Sequence, residues 1–487
     1  MISGNENDHY SLNFKPKIAK MRQLLNSWKC RRLSLKGKIT VVNSLAISKL
    51  IYLCNTIYTP KQVYTEVKEA VTNFIWDGKN AKIAYSTLIN DIHEGGLKLV
   101  DLETKVKSLH IAWAGRLCSN IKVRWKIIPG IVFETNNLSF YFSCNRGKIT
   151  HGHGNTNFLF YRELQFIWSK ITEVNGHITI ESIRNQVLWN NRYIPIENNS
   201  LQWNTWFNAG IVKINDILDN RGTFLSSNEL NTIDGLRTNF LETLQIKQAV
   251  PFSWRQKLLE NNTQYKIYTE PLCPFNENVK PISKVTSKSA YIQLRASNSH
   301  FPITILEWNR LYPNINMEQW ANILTRPYKI SRETTMQSFQ YNITNRNIRC
   351  RKKLYERQVV DSPNCIFCRE VDFLCHFFFS CPQVRIFWNA IYSWLKDIFD
   401  LQLIPEEHII LLGMDGLDDT SLAINYILLV AKQIIHDKRV NDTQNYSMAH
   451  LKAILKYKLI YEKIICDKTK PILFRKFDPI YNALTQQ

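Results

Sequence analysis

Cys365, Cys368, His376 and Cys381 fall within seventeen residues, with gaps of two, seven and four between them. This spacing restricts the local fold more tightly than any other feature of the chain. A Cys-x-x-Cys turn can aim two thiolates at one point, and a histidine followed by a cysteine can close a tetrahedron. Three thiolates and one neutral imidazole leave no open position, so the expected cofactor is a structural zinc that holds shape without activating water. The plain alternative is a cluster of buried thiols, because a free cysteine packs like a small hydrophobe. Cys375 could replace His376 as a ligand; the preferred reading turns it toward the apolar run Phe377, Phe378, Phe379. On one side lies a basic, helix-like segment, Arg346 to Arg357. On the other, Val384, Phe387, Trp388, Ile391 and Leu395 step by three and four, as one buried helical face does. The metal loop is therefore expected to clip two helices together.

Charge is the second constraint. Lys and Arg number 62 against 41 Asp and Glu, a net +21 in 487 residues. An excess of that size points to a polyanionic partner. Apolar residues make up 45% of the chain, enough for several cored domains. Of eleven cysteines only Cys365, Cys368, Cys375 and Cys381 are bunched, a pattern expected in a reducing compartment, nuclear or cytoplasmic. Leu422 to Ile435, among the most apolar stretches, is interrupted by Asn425 and Lys432 and is too short for a bilayer, so no membrane partner is expected.

Between Asp8 and Glu66 no acidic residue occurs. Within that stretch Ile18, Met21, Leu25 and Trp28 form one helical stripe, and Leu35, Ile39, Val42, Ala46, Leu50 and Leu53 another, joined by a basic turn from Lys29 to Arg32. Solvated helix faces mix both signs, whereas a one-signed pair suits phosphate. The candidate contacts to RNA or DNA are Lys15, Lys17, Lys20, Arg22, Lys29, Arg31, Arg32, Lys36 and Lys38, together with Arg346, Arg349, Arg351, Lys352 and Lys353 before the metal loop. Val63 to Ile75 is a further helix stopped at Asp77-Gly78. Lys82 to Leu88 is strand-like, Glu94-Gly95-Gly96-Leu97 a turn, and a helix follows from Leu102.

From Ile121 to about Thr335, strand-like and Asn-rich pieces alternate. Trp189, Trp203, Trp206, Trp254, Trp308 and Trp320 recur without period and are read as core anchors. His151-Gly152-His153-Gly154 is read as a turn, not a metal pair. A helix begins at Met336, Phe339 and Ile343 and runs into the basic segment. Two closing helices are expected around Ile424 to Ile435 and Leu451 to Ile464, kept basic by Lys432, Lys438, Arg439, Lys452, Lys456, Lys458 and Lys463. The fold class is mainly α with several subdomains: a thumb-like helical bundle over 1–120, a mixed connector over 121–335, a zinc knuckle over 336–400 and C-terminal helices over 401–487.

Three short runs are similar to the segment just after the polymerase palm in LINE-type, non-LTR retrotransposon reverse transcriptases. They are Trp28 with Leu33-Ser34-Leu35-Lys36-Gly37-Lys38-Ile39, Phe74-Ile75-Trp76-Asp77-Gly78-Lys79, and Gly95-Gly96-Leu97. The Cys365, Cys368, His376, Cys381 spacing is similar to that family's zinc-binding motif, in the same order along the chain. Leu188-Trp189-Asn190, Trp203, Trp206, Ala209-Gly210-Ile211 and Asp216-Ile217-Leu218 resemble its connector. Val100 departs from the family, where proline is expected. The resemblance implies a thumb that grips a template-primer duplex and a basic metal turn that touches RNA.

It does not imply catalysis by these residues. A polymerase needs carboxylates for two metal ions, including an adjacent Asp pair on a hairpin. The only adjacent pair, Asp418-Asp419, precedes a helix, and Asp419 reads as its cap. No phosphate-cradling loop ending in Gly-Lys-Ser or Gly-Lys-Thr occurs, nor a Gly-x-Ser-x-Gly elbow. On the resemblance, palm and endonuclease would lie before Met1, leaving a non-catalytic, nucleic-acid-binding part. The rival expectation is a protein-interaction scaffold derived from such an element.

Overall fold

The computed structural model describes residues 8–119, 121, 123–145, 158–173, 178–196, 202–260, 272–275, 278–296, 302–443 and 445–485. His151 and His153 lie outside them. The fold is mainly helical, and the described strands are one antiparallel hairpin, Leu272–Phe275 against Asn278–Pro281. Most pieces read as strand-like between 121 and 335 are instead short helices. Tyr85–Ile89 is also helical, which lets Leu88 and Ile89 bury together rather than alternate. No single described helix is long and apolar enough to cross a membrane.

Contacts divide the chain into two compact units: residues 1–19, 49–67 and 101–298 form one, and 20–48, 68–100 and 299–487 the other. Each joins segments that are distant along the chain.

In the first unit the Leu102–Leu117 helix is capped by Asp101, whose carboxylate accepts the Thr104 N–H at 2.9 Å. His110 and Trp113, one turn apart, reach the carbonyls of Cys54 (2.8 Å) and Asn55 (3.0 Å) and so hold the end of the Ser48–Thr56 helix. The Ser287–Ala296 helix packs on the same element, and the turn before it comes close enough that a Cβ on Gly115 would sit 3.1 Å from the Ile282 carbonyl. Trp189, Trp206 and Trp254 are buried in one core with Ile183, Ile214 and Leu258, as expected of anchors.

The second unit is built round the Asp419–Val440 helix, buried on nearly every side and packed by Met317–Ile330, Thr334–Thr344, Pro382–Phe399 and Met448–Thr469. Trp308, Trp320 and Trp388 are buried in this core. Asp418, not Asp419, is the cap: its carboxylate takes the Ser421 N–H at 2.9 Å and hydroxyl at 2.6 Å, which holds its pKa down. A 3₁₀ turn, Pro471–Phe477, and a last helix, Asp478–Thr485, close the core, the helix burying Ile480 and Leu484 one turn apart.

The N-terminal segments of this unit are fastened by hydrogen bonds from Lys36 N–H to Ser338 Oγ (3.3 Å) and from the Tyr341 hydroxyl to the Gly95 carbonyl (3.1 Å). Gly96 must be glycine, since a Cβ there would fall 2.1 Å from the Asn90 carbonyl. At Val100 the N–H donates to Asn43 Oδ1 at 2.9 Å, a bond proline could not make. The Lys61–Trp76 helix ends with Asp77 and Gly78 both left-handed, at φ 54° and 75°.

Candidate metal centre and the basic segments

The Cys365–Cys368 half of the centre is a tight turn inside the second unit. An isolated bridge pairs Asn364 with Val371, Cys365 N–H donates to the Glu370 carbonyl, and Arg369 takes a left-handed conformation at φ 65°. The turn also aims the Phe367 N–H at Cys365 Sγ, 3.4 Å away. The other half depends on a widened turn. His376 and Cys381 are five residues apart, which on a regular α-helix would leave them about 140° apart round the axis. Residues His376–Ser380 instead form a π turn closed by Cys381 N–H to the His376 carbonyl, which brings the two onto one side. Cys381 is also the N-cap of the Pro382–Phe399 helix, with Pro382 in the first position, where proline's missing N–H costs nothing.

The four ligand atoms lie within 4.8 Å of one another, with Cys368 Sγ 3.2 Å from His376 Nε2. Two thiolates on a tetrahedral ion are about 3.8 Å apart, given metal–sulfur bonds of about 2.3 Å. The set therefore fits a metal ion with small closure. His376 Nδ1 faces away, toward Ser380 Oγ at 3.5 Å and Glu370 Oε2 at 3.6 Å, leaving Nε2 for the ion. A hydrogen bond from Cys381 holds the Cys365 thiol well below the ordinary thiol range and pushes that of Cys381 up. Cys375 is excluded from the cluster. Burial and a hydrogen bond to Glu407 push its thiol up to about 12.

The basic residues meet different fates. Lys15, Lys17, Lys20, Arg22 and Lys29 are exposed on the Lys15–Lys29 helix. Arg31 lies over the Trp28 ring at 4.3 Å, and Arg32 is exposed in a left-handed turn. Lys36 is half-buried over Tyr328 at 4.4 Å, and burial followed by the charge of Lys98 lowers its pKa. Lys38 departs from expectation. It is 9% exposed, and its ammonium donates to the Ile75 carbonyl at 3.0 Å and to Asp77 Oδ2 at 2.7 Å. That charge clips a helix end and does not face a ligand.

The second basic segment is not one helix continuing from Met336. Thr334–Thr344 stops, Arg346 turns left-handed at φ 50°, and a short helix restarts at Arg351–Glu356. Arg346 lies over Trp308 at 5.1 Å and beside Glu307 at 3.7 Å, while Lys353 donates to the Arg346 carbonyl. Arg351 is half-buried, whereas Arg349 and Lys352 are exposed. Two further exposed lysines belong with them: Lys82 has its pKa lowered by partial burial and then by Arg349, Lys79 and Arg357. The fold thus draws Lys79 and Lys82 to the segment that leads into the metal loop.

Two of the cations that make the closing helices basic are interior. Lys432 is fully buried, donating to Gln340 Oε1 at 2.6 Å and to the Leu411 carbonyl at 3.3 Å; burial lowers its pKa to about 7. Arg439 is 7% exposed and directs Nη2 at Cys365 Sγ (3.1 Å) and Asp372 Oδ1 (3.3 Å). Nothing in the ligand spacing marks Arg439 or Asp372 as part of the centre. No protein-family model matches the chain.

Proposed function

We propose that the chain is the zinc-binding, nucleic-acid-binding and non-catalytic C-terminal part of a LINE-type, non-LTR retrotransposon reverse transcriptase. The observation that carries this reading is a closed Cys₃His set joined directly to a run of cations. The order of the resembling motifs, thumb-like first and metal loop later, supports it. A four-ligand set of three thiols and an imidazole suits zinc over harder ions and leaves no site for water activation. Lys29, Arg31, Arg32, Arg349, Lys352 and Arg357, exposed to solvent, would neutralise phosphates and release counterions, favouring nucleic-acid shape over sequence. Asp418 and Asp419 act at a helix start, which supports a non-catalytic role. Filter binding of a structured RNA at two salt concentrations tests the reading. Affinity should fall by about tenfold or more between 50 and 200 mM salt, and an affinity indifferent to salt would refute it.

One observation favours a second reading, a protein-docking scaffold. Tyr457, Ile460, Tyr461 and Ile464 are exposed at helical spacing on the Met448–Thr469 helix. It predicts protein complexes that survive nuclease and high salt.

A further inference from the structure

Arg439 is anchored to the metal loop from far along the chain. Its guanidinium is covered by Phe377 at 4.7 Å and Phe367 at 5.5 Å from the ring centres. Buried charge needs a partner, and Asp372 is the obvious one. The geometry is not that of a simple pair, however. An arginine and a carboxylate left to themselves take a fork of two bonds, each about 2.7–2.9 Å, to both oxygens. Here Nη1 and Nη2 straddle a single oxygen, Oδ1, at 3.4 and 3.3 Å, and both also reach Cys365 Sγ, at 3.8 and 3.1 Å. The sulfur of a metal ligand is the nearest acceptor. The second carboxylate oxygen is turned to the Arg351 N–H at 2.9 Å, and the Asp372 carbonyl takes the Lys352 N–H at 3.0 Å. Asp372 therefore touches the arginine with one oxygen and starts the Arg351–Glu356 helix with the other.

A divalent ion held by three thiolates and a neutral imidazole carries one net negative charge. That charge is enclosed here by apolar rings, where it is costly without a cation. We propose that Arg439 is the counter-cation of the metal centre and that Asp372 positions it, so that filling the centre also steadies the first turn of the basic Arg351–Glu356 helix. This rests on the zinc reading above. Arg439 is a positioning residue and not a ligand.

The test is a zinc competition against a chromophoric chelator on the full chain, with folding checked by circular dichroism at saturating zinc. Arg439→Gln and Arg439→Met should each bind zinc about 10–100-fold more weakly, the range typical of lost outer contacts. Arg439→Lys should recover much of that loss by keeping the charge, although without the fork. If Arg439→Met and Arg439→Gln bind as the wild type does, the inference is overturned while the zinc reading stands. If the wild-type chain takes up no zinc, both fall. A second measurement needs no substitution: stripping zinc from the wild-type chain should speed hydrogen exchange at the Arg351 and Lys352 amides. Unchanged exchange there would also overturn the coupling, whatever the variants do.

Discussion

The metal loop and the Lys29–Lys38 segment belong to the same unit, and both stand out in the sequence, yet they translate into structure differently. Four ligands within seventeen residues arrive at one point, whereas the cations of the basic segment separate: Arg31 onto Trp28, Lys36 onto Tyr328, Lys38 inside against Asp77. Short-range spacing of ligands limits where side chains can go. A run of like charge limits only the sign of the surface, and the fold then takes some of those charges for its own use.

The sharpest way to break the contrast is at the metal. Cys368→Ser should reduce the metal content from about one ion per chain to nearly none, read by elemental analysis, and loosen the region around Arg346 to Leu395. A variant that keeps its metal would mean that the four residues do not act as one site.

A next test concerns Lys432, a cation that the interior has taken entirely. Its folded pKa is about 7, below the ordinary lysine value of 10.5. Between those values the unfolded chain holds the proton and the folded chain does not, so stability should rise with pH. The slope is at most about 1.4 kcal/mol per pH unit. Urea unfolding at pH 7 and 9 should show a gain of about 2 kcal/mol in the wild type, and Lys432→Met should remove it. A flat wild-type profile would place the lysine in contact with water.

Reversing Lys29, Arg31 and Arg32 together should weaken RNA binding by about 10–100-fold and lower the salt slope by about 3, read by filter binding. The same number of reversals after Ile409 should do less. Lys38→Met should instead leave RNA affinity alone and cost about 1–2 kcal/mol of stability, because it removes a buried donor from Ile75 and Asp77. If Lys38→Met behaves like the surface reversals, the division between inner and outer cations fails.

Much of this fold was legible because periodicity and spacing are local. The stripes at Ile18 to Trp28, Val384 to Leu395 and Ile424 to Ile435 all lie on helices, and the four metal ligands lie together. What escaped notice depends on neighbours far along the chain. Lys432 and Arg439 lie four and eleven residues after Leu428, on the buried face of a helix that is apolar almost all round. That all-round apolar character was the available signal that a cation inside it is interior. Cys375 leaves the ligand set only because the fold turns its thiol away from the four converging atoms. The break at Arg346 rests on one left-handed residue, which periodicity does not register.

The widened turn from His376 to Ser380 carries a consequence for how the loop can change over time. Replacing one phenylalanine with another bulky residue preserves the count of residues between the imidazole and the last thiol. Gaining a single residue there carries that thiol about 100° farther round the axis and away from the other ligands, whereas losing one leaves the pair four apart, a spacing an ordinary α turn keeps on one side. Added length in this short interval is therefore tolerated less than a change of composition, and a one-codon insertion should do the damage of a missing ligand.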